Sequence, residues 1–173
     1  MTALAHDWYP VDVPDNVKVG EGSWLYSTFA FLHYRSRRPV GVSIGRHTGV
    51  YIDTLFDMGP DAEVVIGDHC TLAGPIFSTA RRVILGDRVL LSSRVLIADE
   101  AVAVPPAAGL TTGRPPETVV TIDDDAWVGT GATLLAGAHI GPGAVVGAAA
   151  VVDFEVPASA IVAGEPARIV GWA

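Results

Sequence analysis

The sequence predicts an all-β chain wound as a parallel β-helix, and three observations predict it. An apolar residue recurs at every sixth position from Ile122 through Val128, Leu134, Ile140 and Val146 to Val152. A second register of small residues, Ala126, Ala132, Ala138, Ala144 and Ala150, lies four residues after an apolar one. Glycine follows the apolar residue at Gly129, Gly141 and Gly147. A period of six suits neither a helix nor a single strand, and a short internal repeat signals a repeat architecture. Each hexad supplies one short strand and one bend, and three hexads close a triangular coil of roughly eighteen residues. Stacked coils sit about 4.8 Å apart, so the apolar positions line up inside the prism.

The repeat extends upstream. Val19-Gly20 leads to Leu25, Ile44-Gly45 to Val50, and Ile66-Gly67 to Leu72. Thr79, Leu85-Gly86, Leu91 and Ile97 continue at spacing six, with one residue inserted between Leu72 and Thr79. The position four after the apolar one is Ser23, Thr48, Cys70, Val83, Val89 or Val95, each small or β-branched, as a tight bend or an inward site requires. The period fails from Ala98 to Thr118, where Pro105-Pro106, Gly109, Gly113 and Pro115-Pro116 indicate a long inserted loop. It also breaks between Tyr51 and Val65, around the turn Met58-Gly59-Pro60-Asp61. These breaks divide one domain, 1–173, into an irregular N-terminal segment 1–40, coils at about 41–97 and 119–156, the loop 98–118 and a C-terminal tail 157–173.

Composition narrows the function. The 173 residues suit a single domain, and half of them are hydrophobic. A net charge of -8 gives no electrostatic support to a nucleic-acid partner. Cys70 is the only cysteine, which fits a reducing, cytoplasmic setting. The N-terminus lacks the basic start and apolar run of a signal peptide. The nearly uncharged stretch from Ala126 to Val152 is long enough to be mistaken for a membrane span, but its six-residue Gly and Ala punctuation serves coils instead.

The stretch Ile122-Asp123-Asp124-Asp125-Ala126-Trp127-Val128-Gly129, the coils after it, and Val162-Ala163-Gly164-Glu165-Pro166-Ala167-Arg168 resemble the C-terminal signature of hexapeptide-repeat acyltransferases. That family includes the sugar O-acetyltransferases of the maltose, galactoside and Nod-factor type. The resemblance is strong over residues 119–171 and looser over 17–97. It implies a left-handed coil, a homotrimer, and an acyl-CoA cosubstrate, most simply acetyl-CoA, lying between neighbouring prisms. It implies that Trp127 lies near the acceptor end of that groove, that Gly129, Ala132, Gly147 and Ala148 border the pantetheine, and that Arg168 lies near the nucleotide. The acceptor would be a small molecule or a sugar.

The chain departs from the family at one point. The family histidine that deprotonates the acceptor stands just before the long loop, where this chain reads Ile97-Ala98-Asp99-Glu100-Ala101. Histidine suits that task because it titrates near neutrality. The candidates to replace it are Glu100 with Asp99, at the loop entrance, and His33, in the aromatic and basic segment Ser27–Pro39. Arg35, Arg37 and Arg38 are candidate anion contacts or a solvated face. Asp123-Asp124-Asp125 occupies a bend of the repeat and reads as structural, as do His47, His69 and His139; Cys70 reads as packing, and Ser92-Ser93 lacks a histidine partner. No metal is expected, because the five histidines contain no close pair from which to build a zinc site. Two readings stay open: an acyltransferase acting on a hydroxyl or amine, and a non-catalytic trimeric β-helix that has lost the base.

Overall fold

The computed structural model describes residues 11–100 and 119–173; residues 1–10 and the part of the long loop at 101–118 lie outside them. Its strands form three parallel sheets, the faces of a triangular prism. The first face stacks β1 (Val17–Val19), β3 (Val42–Ile44), β6 (Glu63–Ile66), β9 (Arg82–Leu85), β12 (Val119–Ile122), β15 (His139–Ile140) and β18 (Glu155–Val156) in that order. The second stacks β2 (Trp24–Leu25), β4 (Gly49–Val50), β7 (Thr71–Leu72), β10 (Leu90–Leu91), β13 (Trp127–Val128), β16 (Val145–Val146) and β19 (Ala160–Gly164). The third stacks β5 (Leu55–Met58), β8 (Ile76–Thr79), β11 (Leu96–Ala98), β14 (Thr133–Leu135) and β17 (Val151–Val152). The pairing begins at Val17, upstream of the coil start expected near 41, because β1 and β2 pair with β3 and β4. The strand β20 (Ala167–Trp172) then folds back antiparallel on β19 and covers the last edge of the second face. Among the described residues, no helix is long and apolar enough to cross a membrane.

Both registers of the repeat point inward. Ile122, Val128, Leu134, Ile140, Val146 and Val152 are fully buried, as are Ala132, Ala138, Ala144 and Ala150, with Ala126 almost so. The alternation of a strand explains this: positions two apart share a face, so a hexad buries two residues and turns with the rest. The larger member fills the wall and the smaller one the crowded corner. In the first three coils Phe31, Phe56 and Phe77 stack one above another, with ring centroids 5.3 and 5.0 Å apart and planes within 8°.

Phe77 also explains the irregular spacing before Thr79. The bend at Ala73–Pro75 is one residue shorter than its neighbours, so Phe77 takes the register of Phe56 and Ile97. The strand then runs long enough for Thr79 to turn inward as well, in register with Met58. The expected single insertion is therefore one residue lost and two gained.

The corner between the first and second faces shows why glycine follows the apolar residue. A Cβ on Gly67 would lie 2.4 Å from the carbonyl oxygen of Gly86 in the next coil, and a Cβ on Gly20 would meet Gly45 equally closely. The third residue of this bend adopts positive φ in every coil: Gly22, His47, His69, Arg88, Asp125, Gly143 and Ser159, between 53° and 73°. A side chain costs about 1 kcal/mol in that conformation. A carboxylate ladder offsets the cost. Asp68, Asp87 and Asp124 accept the N–H of Arg46, Asp68 and Asp87 at 2.7, 2.8 and 2.9 Å. These bonds hold Asp68 below the usual carboxylate range, first through the Arg46 N–H and then through its guanidinium. The hydrogen bonds from the Arg88 guanidinium likewise lower Asp125. The acidic run at 123–125 is thus structural at every position: Asp123 meets His139 at 2.8 Å, Asp124 caps Asp87, and Asp125 pairs with Arg88.

Candidate functional site

The long loop leaves from the corner between the third and first faces, and a cleft of about 380 Å³ opens beside its starting point. Arg35, Asp57, Gly59, Ser78, Thr79, Ala80, Ala98 and Glu100 line it. Asp57, Ser78 and Ala98 are in register on β5, β8 and β11, pointing outward because the residues between them point in. Arg35 joins this row through Tyr34, which bridges to Met58. Its guanidinium donates to the Met58 carbonyl at 3.3 Å and to Asp57 at 3.4 Å.

Asp99 and Glu100, adjacent in sequence, do different things. Asp99 is fully buried. Its carboxylate accepts the Thr79 hydroxyl and the backbone N–H groups of Ala80, Arg81 and Arg82 at 3.0, 2.9 and 2.9 Å. It occupies the core register of Thr79 and Met58, and it holds the bend between β8 and β9. A carboxylate committed to four donors is a structural cap. Glu100 is exposed, lines the cleft, and makes no ion pair among the described residues.

His33 does not join Glu100. Its carbonyl accepts the Met58 N–H at 3.3 Å and its side chain is exposed. It sits three coils away along the prism axis, about 14 Å at the parallel-strand spacing. His33 is not among the residues that line the cleft beside Glu100.

The remaining candidates gather on another edge, between the second and third faces. Trp127 stands half exposed on β13, its indole N–H donating to the Ser92 hydroxyl at 3.1 Å. Gly129 follows at the bend, where a Cβ would come within 2.7 Å of the Ala148 nitrogen in the next coil. Ala148 is exposed. A Cβ on Gly147 would come within 3.2 Å of that of Ala163, which is opposite Arg168 in the β19–β20 pair. The edge thus runs along the axis from Trp127 past Gly129 and Ala148 to the exposed Arg168, whose guanidinium reaches the Ala167 carbonyl at 2.8 Å. Ala132 is a correction. It is fully buried with its methyl in the core, so it presents no side chain to a ligand. The hexad register marked it as small, but not as inward. Lower on the same edge, Tyr26, Phe29, Tyr51, Ile52, Leu55 and Ile76 line an aromatic cleft of about 500 Å³ that sequence reasoning missed, because it joins coils through the bulky residues of an irregular segment.

Stacking also unites residues distant in sequence. Arg38 and Arg82 both reach Glu63, at 3.4 and 3.3 Å. His47 and His69 stack at 5.2 Å, a closeness their sequence separation hides. Among the described residues, no group of three or more His, Cys, Asp or Glu side chains is placed to hold a metal ion. Cys70 is buried, which pushes its thiol pKa up and suits packing.

No protein-family model matches the chain. A 2,3,4,5-tetrahydropyridine-2,6-dicarboxylate N-acetyltransferase from Staphylococcus aureus is 45% identical over 56 residues, which span 32% of this chain and 23% of that relative. Among solved structures, the N-acyltransferase AntD from Bacillus cereus, in complex with dTDP and 3-hydroxybutyryl-CoA, aligns with a TM-score of 0.63 at 19% identity. That alignment covers 92% of this chain and 81% of AntD. A mutant AntD with dTDP-4-amino-4,6-dideoxyglucose and coenzyme A gives 0.68 at 18% identity, over 90% and 82%. The hexapeptide-repeat acetyltransferase VCA0836 from Vibrio cholerae, with acetyl coenzyme A, gives 0.53 at 22% identity, over 91% and 70%. Three parallel faces, six-residue corners and these alignments agree: the chain has the left-handed parallel β-helix fold of the hexapeptide-repeat acyltransferases.

Proposed function

We propose that this chain is a coenzyme A-dependent acyltransferase that works as a cytoplasmic homotrimer and acylates an amine, or less readily a hydroxyl, of a small molecule or sugar. The observation that carries the reading is the exposed Glu100 in a cleft beside the start of the loop, without an ion pair among the described residues. The edge from Trp127 to Arg168 lies on a different side of the same prism, so one chain cannot bring cleft and edge together. A groove between two prisms would place the cleft of one chain against the edge of its neighbour, which is the reason for proposing a trimer. Trp127, Gly129, Gly147, Ala148 and Arg168 are the proposed coenzyme A contacts.

The chemistry favours an amine. A hydroxyl needs a base to become a competent nucleophile, whereas a neutral amine already carries its lone pair. A carboxylate, a weak base at neutral pH, then suffices. The amine nitrogen bonds to the thioester carbon, the C–S bond breaks, and the electron pair leaves with sulfur. Glu100 takes the proton that the nitrogen sheds, and the thiolate recovers it as free thiol. Orientation in the groove lowers the rest of the barrier. The names of the Staphylococcus and Bacillus relatives, both N-acyl transferring, agree with this preference.

Isothermal titration with acetyl-CoA tests the reading, and no binding at millimolar cofactor overturns it. Light scattering tests the trimer. The absence of any histidine among the described residues that line the cleft favours a second reading, a non-catalytic β-helix serving binding or assembly. Thiol release from acetyl-CoA that depends on an amine acceptor and falls in Glu100→Gln would reject it.

A further inference from the structure

We infer that the cleft beside Glu100 selects an acceptor carrying an amino group and an anionic group on the same small molecule. This rests on the acyltransferase reading for its chemistry, but the recognition it describes is separable. The cleft offers two carboxylates, Asp57 and Glu100, the Ser78 hydroxyl of β8, and one guanidinium, Arg35. Asp57 and Arg35 face each other at 3.4 Å, with Arg35 two-thirds exposed and Asp57 one-third. An ion pair so long and so exposed contributes little, so a ligand bearing both charges can replace it. Its ammonium would take the place of the guanidinium on Asp57, and its anion would take the place of the carboxylate on Arg35. Each protein charge then keeps a partner, and both ligand charges gain one.

The surroundings support the anionic half. The chain has a net charge of -8 and only eleven Lys and Arg residues, yet Arg35, Arg37, Arg38, Arg81 and Arg82 all lie around this corner. Arg38 and Arg82 are tied to Glu63. Arg37 and Arg81 make no ion pair among the described residues, and Arg81 adjoins the cleft residue Ala80. Guanidinium suits phosphate and carboxylate because its planar donors match their oxygens two at a time. An uncharged sugar, or an amine alone, would leave Arg35 without gain.

The division of labour follows. Asp57 and Arg35 are positioning and specificity residues that fix the acceptor. Glu100, nearest the start of the loop and without an ion pair among the described residues, is the group left to accept a proton. The bound ammonium first loses a proton to solvent through Glu100. The neutral amine then attacks, so acceptor ammonium and thioester yield amide, free thiol and one proton.

Three probes built on one sugar ring test this by calorimetry on the full chain: glucosamine 6-phosphate, glucosamine and glucose 6-phosphate. Glucosamine 6-phosphate is expected to bind about tenfold tighter than either of the others, as two charge-assisted contacts exceed one. Arg35→Ala should abolish its advantage over glucosamine, and Asp57→Asn its advantage over glucose 6-phosphate. Both positions are exposed or half-exposed, so both variants should fold, which circular dichroism verifies. Equal affinity for the three probes, or an advantage that survives both substitutions, overturns the inference. A titration with acetyl-CoA in the same series separates the readings. Cofactor binding without probe discrimination removes only this inference. Probe discrimination without cofactor binding removes only the acyltransferase.

Discussion

Replacing Asp99 with alanine should destabilise the protein by about 3–5 kcal/mol, although neighbouring Glu100→Ala should leave stability nearly unchanged. The carboxylate of Asp99 accepts from one side-chain hydroxyl and three successive backbone N–H groups. An unsatisfied buried donor costs about 1–3 kcal/mol. The N–H groups of Ala80, Arg81 and Arg82 are only partly buried, so the lower end applies to each; the Thr79 hydroxyl adds a further amount of the same size. For a chain of this length each kcal/mol lowers Tm by about 2–4 °C, so the expected fall is roughly 6–20 °C. Asp99→Asn should cost about half as much, because its amide keeps one acceptor oxygen and turns a donor toward the remaining N–H groups. The assay is thermal unfolding followed by circular dichroism at one fixed protein concentration, since assembly shifts Tm with concentration. A Tm within about 2 °C of the parent for Asp99→Ala would refute the cap. It would reopen Asp99 as a candidate base.

Val128→Asp or Ile140→Asp, both at fully buried positions, should cost more than ~3 kcal/mol by burying an unpaired charge, read as loss of cooperative urea unfolding. Gly67→Ala should destabilise by about 1–3 kcal/mol, because its Cβ meets backbone of the next coil, while Gly131→Ala meets no atom and pays only for its positive φ; urea midpoints compare them. Asp68 has a lowered pKa in the folded state, so its stabilisation is present above the ordinary carboxylate value near ~4 and is lost as pH falls through the folded one. Tm measured from neutral pH down through that window should therefore fall less steeply in Asp68→Asn. Glu100→Gln should lower kcat for an amine acceptor by about 100-fold with little change in its KM, measured by thiol release; an unchanged kcat would remove Glu100 from the mechanism.

The legibility of this chain varies along its length. The coils from Ile122 to Val152 could be read directly, because a prism one hexad per side leaves each position a single orientation. The same hexad ruler misled at Leu72–Thr79, where Phe77 took the core column and the bends changed length to accommodate it. It misled again at Ala132, since a small residue suits an inward corner and an outer ledge equally well. The candidate site was legible only in part. Glu100 was marked by its place before the loop, but Asp99 beside it had the same residue class and the same neighbours. Arg35, Asp57 and Ser78 carry no linear motif that joins them.

From the sequence alone came the coil period, the three-sided cross-section and the inward hydrophobic columns. These depend on local alternation and on bends that repeat every six residues. Tertiary structure alone decided which carboxylate is buried and which is exposed, that Arg35, Asp57, Ser78 and Glu100 share one cleft, and that Trp127 and Arg168 lie on a different edge. The physical reason is the stacking. Coil length sets which residues of successive turns become neighbours, and each insertion or shortened bend resets that register by an amount no single hexad contains.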